Sequence, residues 1–243
     1  MYFPSTQWSL LAKASLNGET SARDALEELC RRYWQPIFQF IRSRGFKETE
    51  SQDLTQAFLL HLLERSALKK PDRLKGRFRS FLLGSLNRFI WDELDRRNAE
   101  KRGGGHAPAS LDDSNLHLEA EPSHPAPDST AFDREWALVV LETSLARVQE
   151  DYVGEGKADM YAVLRHFLPE AVRPMAYEDA AARLRMGLSA LKSEIHRMRM
   201  RFRSFVRQEI AGTVGAPHEI DEEMEYLRKV LMQPGNDLQT TEA

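Results

Sequence analysis

From Leu191 the apolar residues step by four, three, four and three, through Ile195, Met198, Phe202 and Phe205. That spacing places them on one face of a 3.6-residue helix and on no face of a strand. The same period joins Leu26, Leu29, Tyr33, Ile37 and Ile41. The chain is therefore expected to be all-α. Ser5 or Thr6 can cap a short helix through Leu16, closed by Asn17 and Gly18. A second helix begins near Ser21, with Pro36 as a kink and Gly45 as a stop, and a third covers Glu48 to Ser66. A long helix from Phe78 to about Arg102 ends at three glycines. Further helices are predicted over Phe132 to Tyr152, Lys157 to Leu168, Ala176 to Leu184, Ser189 to Ile210 and Glu219 to Met232.

Between Gly103 and Thr130 the chain is rich in Gly, Pro, Ser and acids, with almost nothing to bury, as expected of a flexible acidic linker. The expected organisation is a helical domain at 1–102, the linker at 103–130, a second small helical domain at 131–212 and an acidic C-terminal extension at 213–243 with its own helix.

Charge follows the same divisions. The net charge is only −3, yet Arg65 to Arg102 holds twelve basic and five acidic residues, and Arg183 to Arg207 holds eight and one. The connector His106 to Glu135 carries seven acids and one Arg, and the chain from Glu209 carries eight acids and two bases. A surface binds by its local charge, so two basic helical blocks point to nucleic acid in spite of the total.

The second block has the spacing of a helix-turn-helix. Tyr177 to Leu184 forms a short helix whose Ala180, Ala181 and Leu184 face inward, Arg185 to Leu188 turns, and Ser189 is expected to cap the next helix. Its N-terminal part would enter a major groove, offering Ser189, Lys192, Ser193, His196 and Arg197, while Arg199, Arg201, Arg203 and Arg207 meet phosphates. A solvated basic helix of an ordinary bundle is the competing reading. In the first block, a core stripe of Leu82, Leu86 and Phe89 turns Asn87, Arg88 and Trp91 outward. An outward Trp among arginines suits the stacking of unpaired bases. The alternative packs Trp91 under the N-terminal helix of its own domain.

Catalytic chemistry finds no support. The seven histidines show no metal-ligand spacing with one another or with the single cysteine, Cys30, which reads as a buried thiol. No glycine-rich loop follows a strand, so no cofactor or small-molecule substrate is expected. No run has the length of a membrane span and no charged-then-apolar leader opens the chain, so a cytoplasmic protein is expected.

Three stretches together resemble bacterial sigma factors of the extracytoplasmic-function group. Glu50 to Glu64 (ESQDLTQAFLLHLLE) is similar to the polymerase-binding part of their region 2. Leu74 to Gly105 (LKGRFRSFLLGSLNRFIWDELDRRNAEKRGGG) resembles the part that opens the strands at the −10 element, and Met175 to Arg203 resembles region 4, which reads the −35 element. The resemblance implies that the domain at 1–102 is a region 2 bundle and that at 131–212 a region 4 domain. It further implies that Asp53, Gln56 and Phe58 dock on the β′ clamp helices of core RNA polymerase, the aromatic supplying the anchor, and that the β flap is a second contact. The loop from Ser66 to Arg77, with Lys69, Lys70, Arg73 and Lys75, would cradle a flipped promoter base. Arg79, Asn87, Arg88, Trp91, Arg96 and Arg97 complete the implied −10 surface. Anchored on Asp92, the alignment puts Arg88 where the family has Asn, with Asn87 one residue earlier.

The leading expectation is a dissociable promoter-specificity subunit without enzymatic activity. Two others compete: a stand-alone helix-turn-helix regulator that does not bind polymerase core, and a helical adaptor with no nucleic-acid role. The resemblance also implies that the linker runs through the polymerase as a nucleic-acid mimic, against a passive tether, and that an anti-sigma partner can exist. In the extension, Ile220, Met224, Leu227 and Leu231 share a helix face, which either shields a basic DNA-binding surface or simply stabilises the fold.

Overall fold

The computed structural model describes residues 7–14, 20–68, 76–101, 129–168 and 175–233. Every regular element among them is helical, in the order α1 (Gln7–Ala14), α2 (Thr20–Ser43), α3 (Glu48–Leu68), α4 (Phe78–Lys101), α5 (Thr130–Gly154), α6 (Ala158–Leu164), α7 (Tyr177–Leu184), α8 (Leu188–Ala211) and α9 (Glu219–Met232). A 3-10 turn at Arg165–Phe167 extends α6. The chain forms two compact units, Met1–Ala137 with Gly212–Ala243, and Leu138–Ala211. This division differs from the expected one. The first two turns of α5 and the C-terminal segment belong to the first unit, and only residues 138–211 form the second. Residues 103–128 of the expected linker lie outside the described residues. The helices that flank them, α4 and the start of α5, are parts of the same unit.

In the first unit, α2 buries Ala22, Ala25, Leu29, Tyr33, Ile37, Phe40 and Ile41 and runs unbroken through Pro36. Gly45 ends it at φ +87°, a left-handed conformation in which a side chain would be strained. On α3, Ser51, Leu54, Thr55, Phe58, Leu59 and Leu62 repeat at three and four and are all buried. The Ser51 and Thr55 hydroxyls donate to the carbonyls of Lys47 and Ser51 at 2.9 and 2.6 Å, which lets small polar residues lie in the interior without an unmet donor.

Phe78, the first residue of α4, is the hub of an aromatic cluster. Its ring lies 5.0 Å from Trp8, 5.6 Å from Tyr33 and 6.2 Å from Trp136, and Trp136 stacks on Tyr33 at 5.0 Å. Phe132 meets Phe40 at 6.1 Å. Phe132 and Trp136 sit one turn apart on α5, and both are fully buried, which is why the start of this helix belongs to the first unit.

The second unit packs α5, α6, α7 and α8 around Val148, Tyr152, Tyr161, Leu164, Ala180, Ala181, Leu191, Ile195, Met198 and Phe202. Helix α5 ends in a Schellman turn, with Lys157 N–H to the Tyr152 carbonyl at 2.7 Å, Gly156 N–H to Val153 at 2.9 Å, and Gly156 at φ +71°.

Candidate nucleic-acid interface

The turn between α7 and α8 repeats that Schellman pattern with a residue poorly suited to it. Met186 N–H donates to the Ala181 carbonyl at 3.0 Å and Arg185 N–H to Ala182 at 3.2 Å. Arg185 holds φ +52°, alone among the described non-glycine residues in having a positive φ. Helix α8 then begins at Leu188. Leu191 N–H bonds the Gly187 carbonyl at 3.0 Å, so Gly187 occupies the cap position and Ser189 lies inside the first turn, a correction to the expected cap.

Opposite the buried stripe of α8, Ser189, Lys192, Ser193, His196, Arg197 and Arg203 are all exposed. Lys192 Nζ lies 6.0 Å from the Tyr177 ring, and Arg197 pairs with Glu194 one turn back. Two expected phosphate contacts are otherwise engaged. Arg199 donates twice to the Phe167 carbonyl, at 3.1 and 2.9 Å. Arg201 is half-buried, lies over the Tyr152 ring at 5.0 Å and reaches Glu155 at 2.9 Å, so its charge is used within its own unit.

In the first unit, Asp53 and Gln56 are exposed on α3, but Phe58 is 0% exposed and packs on Phe89 with ring centroids 5.5 Å apart. Helical rotation explains this correction. Five residues on from Asp53 is a turn of about 140°, away from the exposed face, whereas seven residues on returns to within about 20° of it. That seventh residue is Leu60, 54% exposed, and Gln56, Ala57 and Glu64 share its face. The resemblance placed Phe58 beside Asp53 and Gln56; the rotation of the helix puts Leu60 there instead.

Beside that face, a groove of ≈ 690 Å³ lies between α3 and α4, with Lys47, Asp53, Ala57, Phe89, Glu93 and Arg97 in its lining. Arg97 ties it together, donating from Nε to Glu93 at 2.8 Å and from Nη1 to Glu50. The Arg97 hydrogen bond holds the Glu50 carboxyl below its ordinary range. Burial pushes Glu93 upward, but hydrogen bonds from Arg97 and Arg96 outweigh it and leave this carboxyl lowered too.

Along α4, Arg88 and Trp91 face solvent one turn apart, Trp91 being 43% exposed, and Asn87 is half-buried. Arg96 is exposed and chelates Glu93. Lys69, Lys70, Arg73 and Lys75 lie outside the described residues. Arg79 departs most from expectation: it is 7% exposed and bound to carboxylates from two other helices. Its Nη1 donates to Asp133 at 2.5 Å and its Nε to Glu223 at 2.7 Å, and its guanidinium covers the Tyr226 ring at 4.4 Å. The Glu223 hydrogen bond and the Asp133 charge outweigh desolvation, so its proton is held still more firmly than in a free guanidinium. The Tyr226 hydroxyl donates to the second Asp133 oxygen at 2.5 Å, and Ser129 donates to that oxygen at 2.7 Å.

Comparison with protein-family models, curated proteins and solved structures finds no match to this chain. No group of three or more His, Cys, Asp or Glu among the described residues is placed to hold a metal ion, and no described helix is long and apolar enough to cross a membrane.

Proposed function

We propose that the chain is a promoter-specificity subunit of the sigma type, which joins core RNA polymerase and carries it to chosen start sites. The observation that carries the proposal is the exposed polar face of α8, set behind a helix-turn-helix turn and opposite the buried stripe of Leu191, Ile195, Met198 and Phe202. Lys192, Ser193, His196 and Arg197 are free of the core on the part of the helix that enters a major groove, with Arg203 further along for the phosphates.

The first unit adds two features that a simple duplex reader does not need. Trp91 and Arg88 make an outward aromatic and cation pair, suited to stacking an unpaired base and holding its strand. Asp53, Gln56 and Leu60 form an acid, amide and apolar face of the kind that receives a basic partner helix, the clamp helices of polymerase in this reading. Such work is done beside the chromosome, which makes the protein cytoplasmic, and the catalysis belongs to the polymerase.

Run-off transcription with purified core polymerase and a promoter library tests the proposal. New start sites that disappear with Leu60→Asp or with Lys192→Ala are the expected result. A chain that neither co-purifies with core nor redirects initiation is not a sigma factor. If such a chain still bound duplex DNA through α8, it would be a stand-alone regulator, a reading favoured by the compactness of the unit at 138–211.

A further inference from the structure

The C-terminal segment is laid against the head of α4 by backbone and by charge. Phe78 N–H donates to the Thr213 carbonyl at 2.7 Å and Gln7 N–H to the Gly212 carbonyl at 3.1 Å. From there α9 presents one carboxylate after another to the two arginines that flank Phe78. Arg77 meets Glu222 at 2.6 Å, Glu223 at 3.2 Å and Glu219 at 3.7 Å. Arg79 takes Glu223 as a fork, Nε to Oε1 at 2.7 Å and Nη2 to Oε2 at 3.3 Å. This is the geometry in which a guanidinium holds the oxygens of a phosphate.

The face that α9 buries contains Leu227 of the expected apolar stripe but is rotated toward Glu223 and Val230. Glu223, Leu227 and Val230 are buried, while Ile220, Met224 and Leu231 are only partly covered. Two of the three buried residues are apolar and the third is a carboxylate bonded to Arg77 and Arg79, so the docking combines apolar burial with ion pairs. A helix of 14 residues is marginal in isolation, so α9 is helical because it is docked. The solvent-facing part of this contact, the Arg77–Glu222 pair, is open to competition by another polyanion.

We propose that the segment from Gly212 to Met232 is an intramolecular phosphate mimic, a strap that masks Arg77 and Arg79 within the basic block from Arg65 to Arg102 and is displaced when a DNA strand arrives. It is directed at α4, where the unpaired strand would lie, through contacts made entirely within the first unit. The inference rests on the DNA-binding reading above and adds a regulatory state to it. The free chain holds both cations against carboxylates of α9, and strand capture exchanges those carboxylates for phosphate at Arg77, while Arg79 keeps Asp133.

The test uses the full chain in two charge variants and a truncation. Glu222→Lys changes a side chain that is 63% exposed and removes the shortest ion pair of Arg77, so the fold is not at risk. Glu222→Gln combined with Glu223→Gln keeps shape and hydrogen-bonding capacity while removing the charge, and truncation after Val214 removes the helix altogether. Binding of a fluorescent single-stranded oligonucleotide is followed against salt. One phosphate contact made without opposition, that of Arg77, steepens the slope of log K against log salt by about 0.7, an added loss of about 2.6-fold between about 50 and 200 mM salt, with tighter binding at the low end, while Arg79 keeps Asp133. In the unaltered chain, backbone amides of α9 should exchange with deuterium faster once the oligonucleotide is bound. Equal affinity and slope in both charge variants, with α9 exchange unchanged by DNA, overturn the strap and leave α9 as a structural helix with the DNA reading intact. If no form of the chain binds the oligonucleotide, the DNA reading fails and the strap falls with it.

Discussion

Leu60 and Phe58 stand two residues apart on α3, and exchanging their assigned roles makes a sharp prediction. Phe58 has no exposed surface and packs on Phe89, so Phe58→Ala opens a cavity in the first unit and should cost about 3 to 5 kcal/mol. At a urea slope of about 2 kcal/mol per molar, that lowers the unfolding midpoint by about 1.5 to 2.5 M. All four tryptophans, Trp8, Trp34, Trp91 and Trp136, lie in the first unit, so tryptophan fluorescence reports its unfolding without interference from the second. Leu60 is 54% exposed, so Leu60→Ala should move the same midpoint by no more than about 0.5 kcal/mol in energy. Burying a whole leucine is worth about 1.5 to 3 kcal/mol, and Leu60 has about half of its surface left to bury on docking. Its truncation should therefore weaken binding to core polymerase by about 1 kcal/mol, roughly five- to tenfold in a fluorescence titration. A Phe58→Ala protein that unfolds at the normal midpoint yet loses core affinity would refute the burial argument, and unchanged core affinity in Leu60→Ala would refute the docking face.

Three other predictions are independent of that one. Arg185→Gly removes the strain of a side chain at φ +52° and should stabilise the second unit by about 1 kcal/mol, read as a higher midpoint by far-ultraviolet circular dichroism; a lower midpoint would mean that the turn needs the arginine itself. Arg203→Gln should reduce the salt slope of duplex binding by about 0.9, while Arg201→Gln leaves it unaltered because that charge already faces Glu155 and Asp151; equal effects from the two would contradict the assignment. Glu50 and Glu93 are held below the ordinary carboxyl value of 4.5 by Arg97, so their contribution is present above that pH and is lost as pH falls through the depressed folded values. Arg97→Gln should accordingly flatten the acid limb of the stability profile of the first unit below about pH 4.5, and an acid limb as steep as that of the unaltered chain would count against the triad.

Much of the local structure could be read from residue spacing. The stripe Leu191, Ile195, Met198 and Phe202 is the buried face of α8, and α9 runs from Glu219 to Met232 as its periodicity predicts. Gly45 ends α2 because only a residue without a Cβ turns there without strain. Around the candidate interface the signal was thinner. Arg79, Arg201 and Arg203 carry the same side chain in basic surroundings, and nothing local distinguishes the one tied to Asp133 and Glu223, the one tied to Glu155 and the one that is exposed. Those carboxylates arrive from segments far along the chain, and a helical period carries no record of them.

The sequence alone determined that this chain is helical, where most of its helices begin and end, and which stripe of α2 and of α8 faces inward, because backbone hydrogen bonding and side-chain period act over three or four residues. Only the tertiary structure decided that Phe132, Trp136 and Glu223 complete the first unit, which divides the chain at Ala137 and Gly212 rather than at the acidic connector. The physical reason is that an aromatic ring or a charge is stabilised by whatever surrounds it in space, and burial beside Tyr33, Phe78 or Arg79 depends on chain segments tens of residues away.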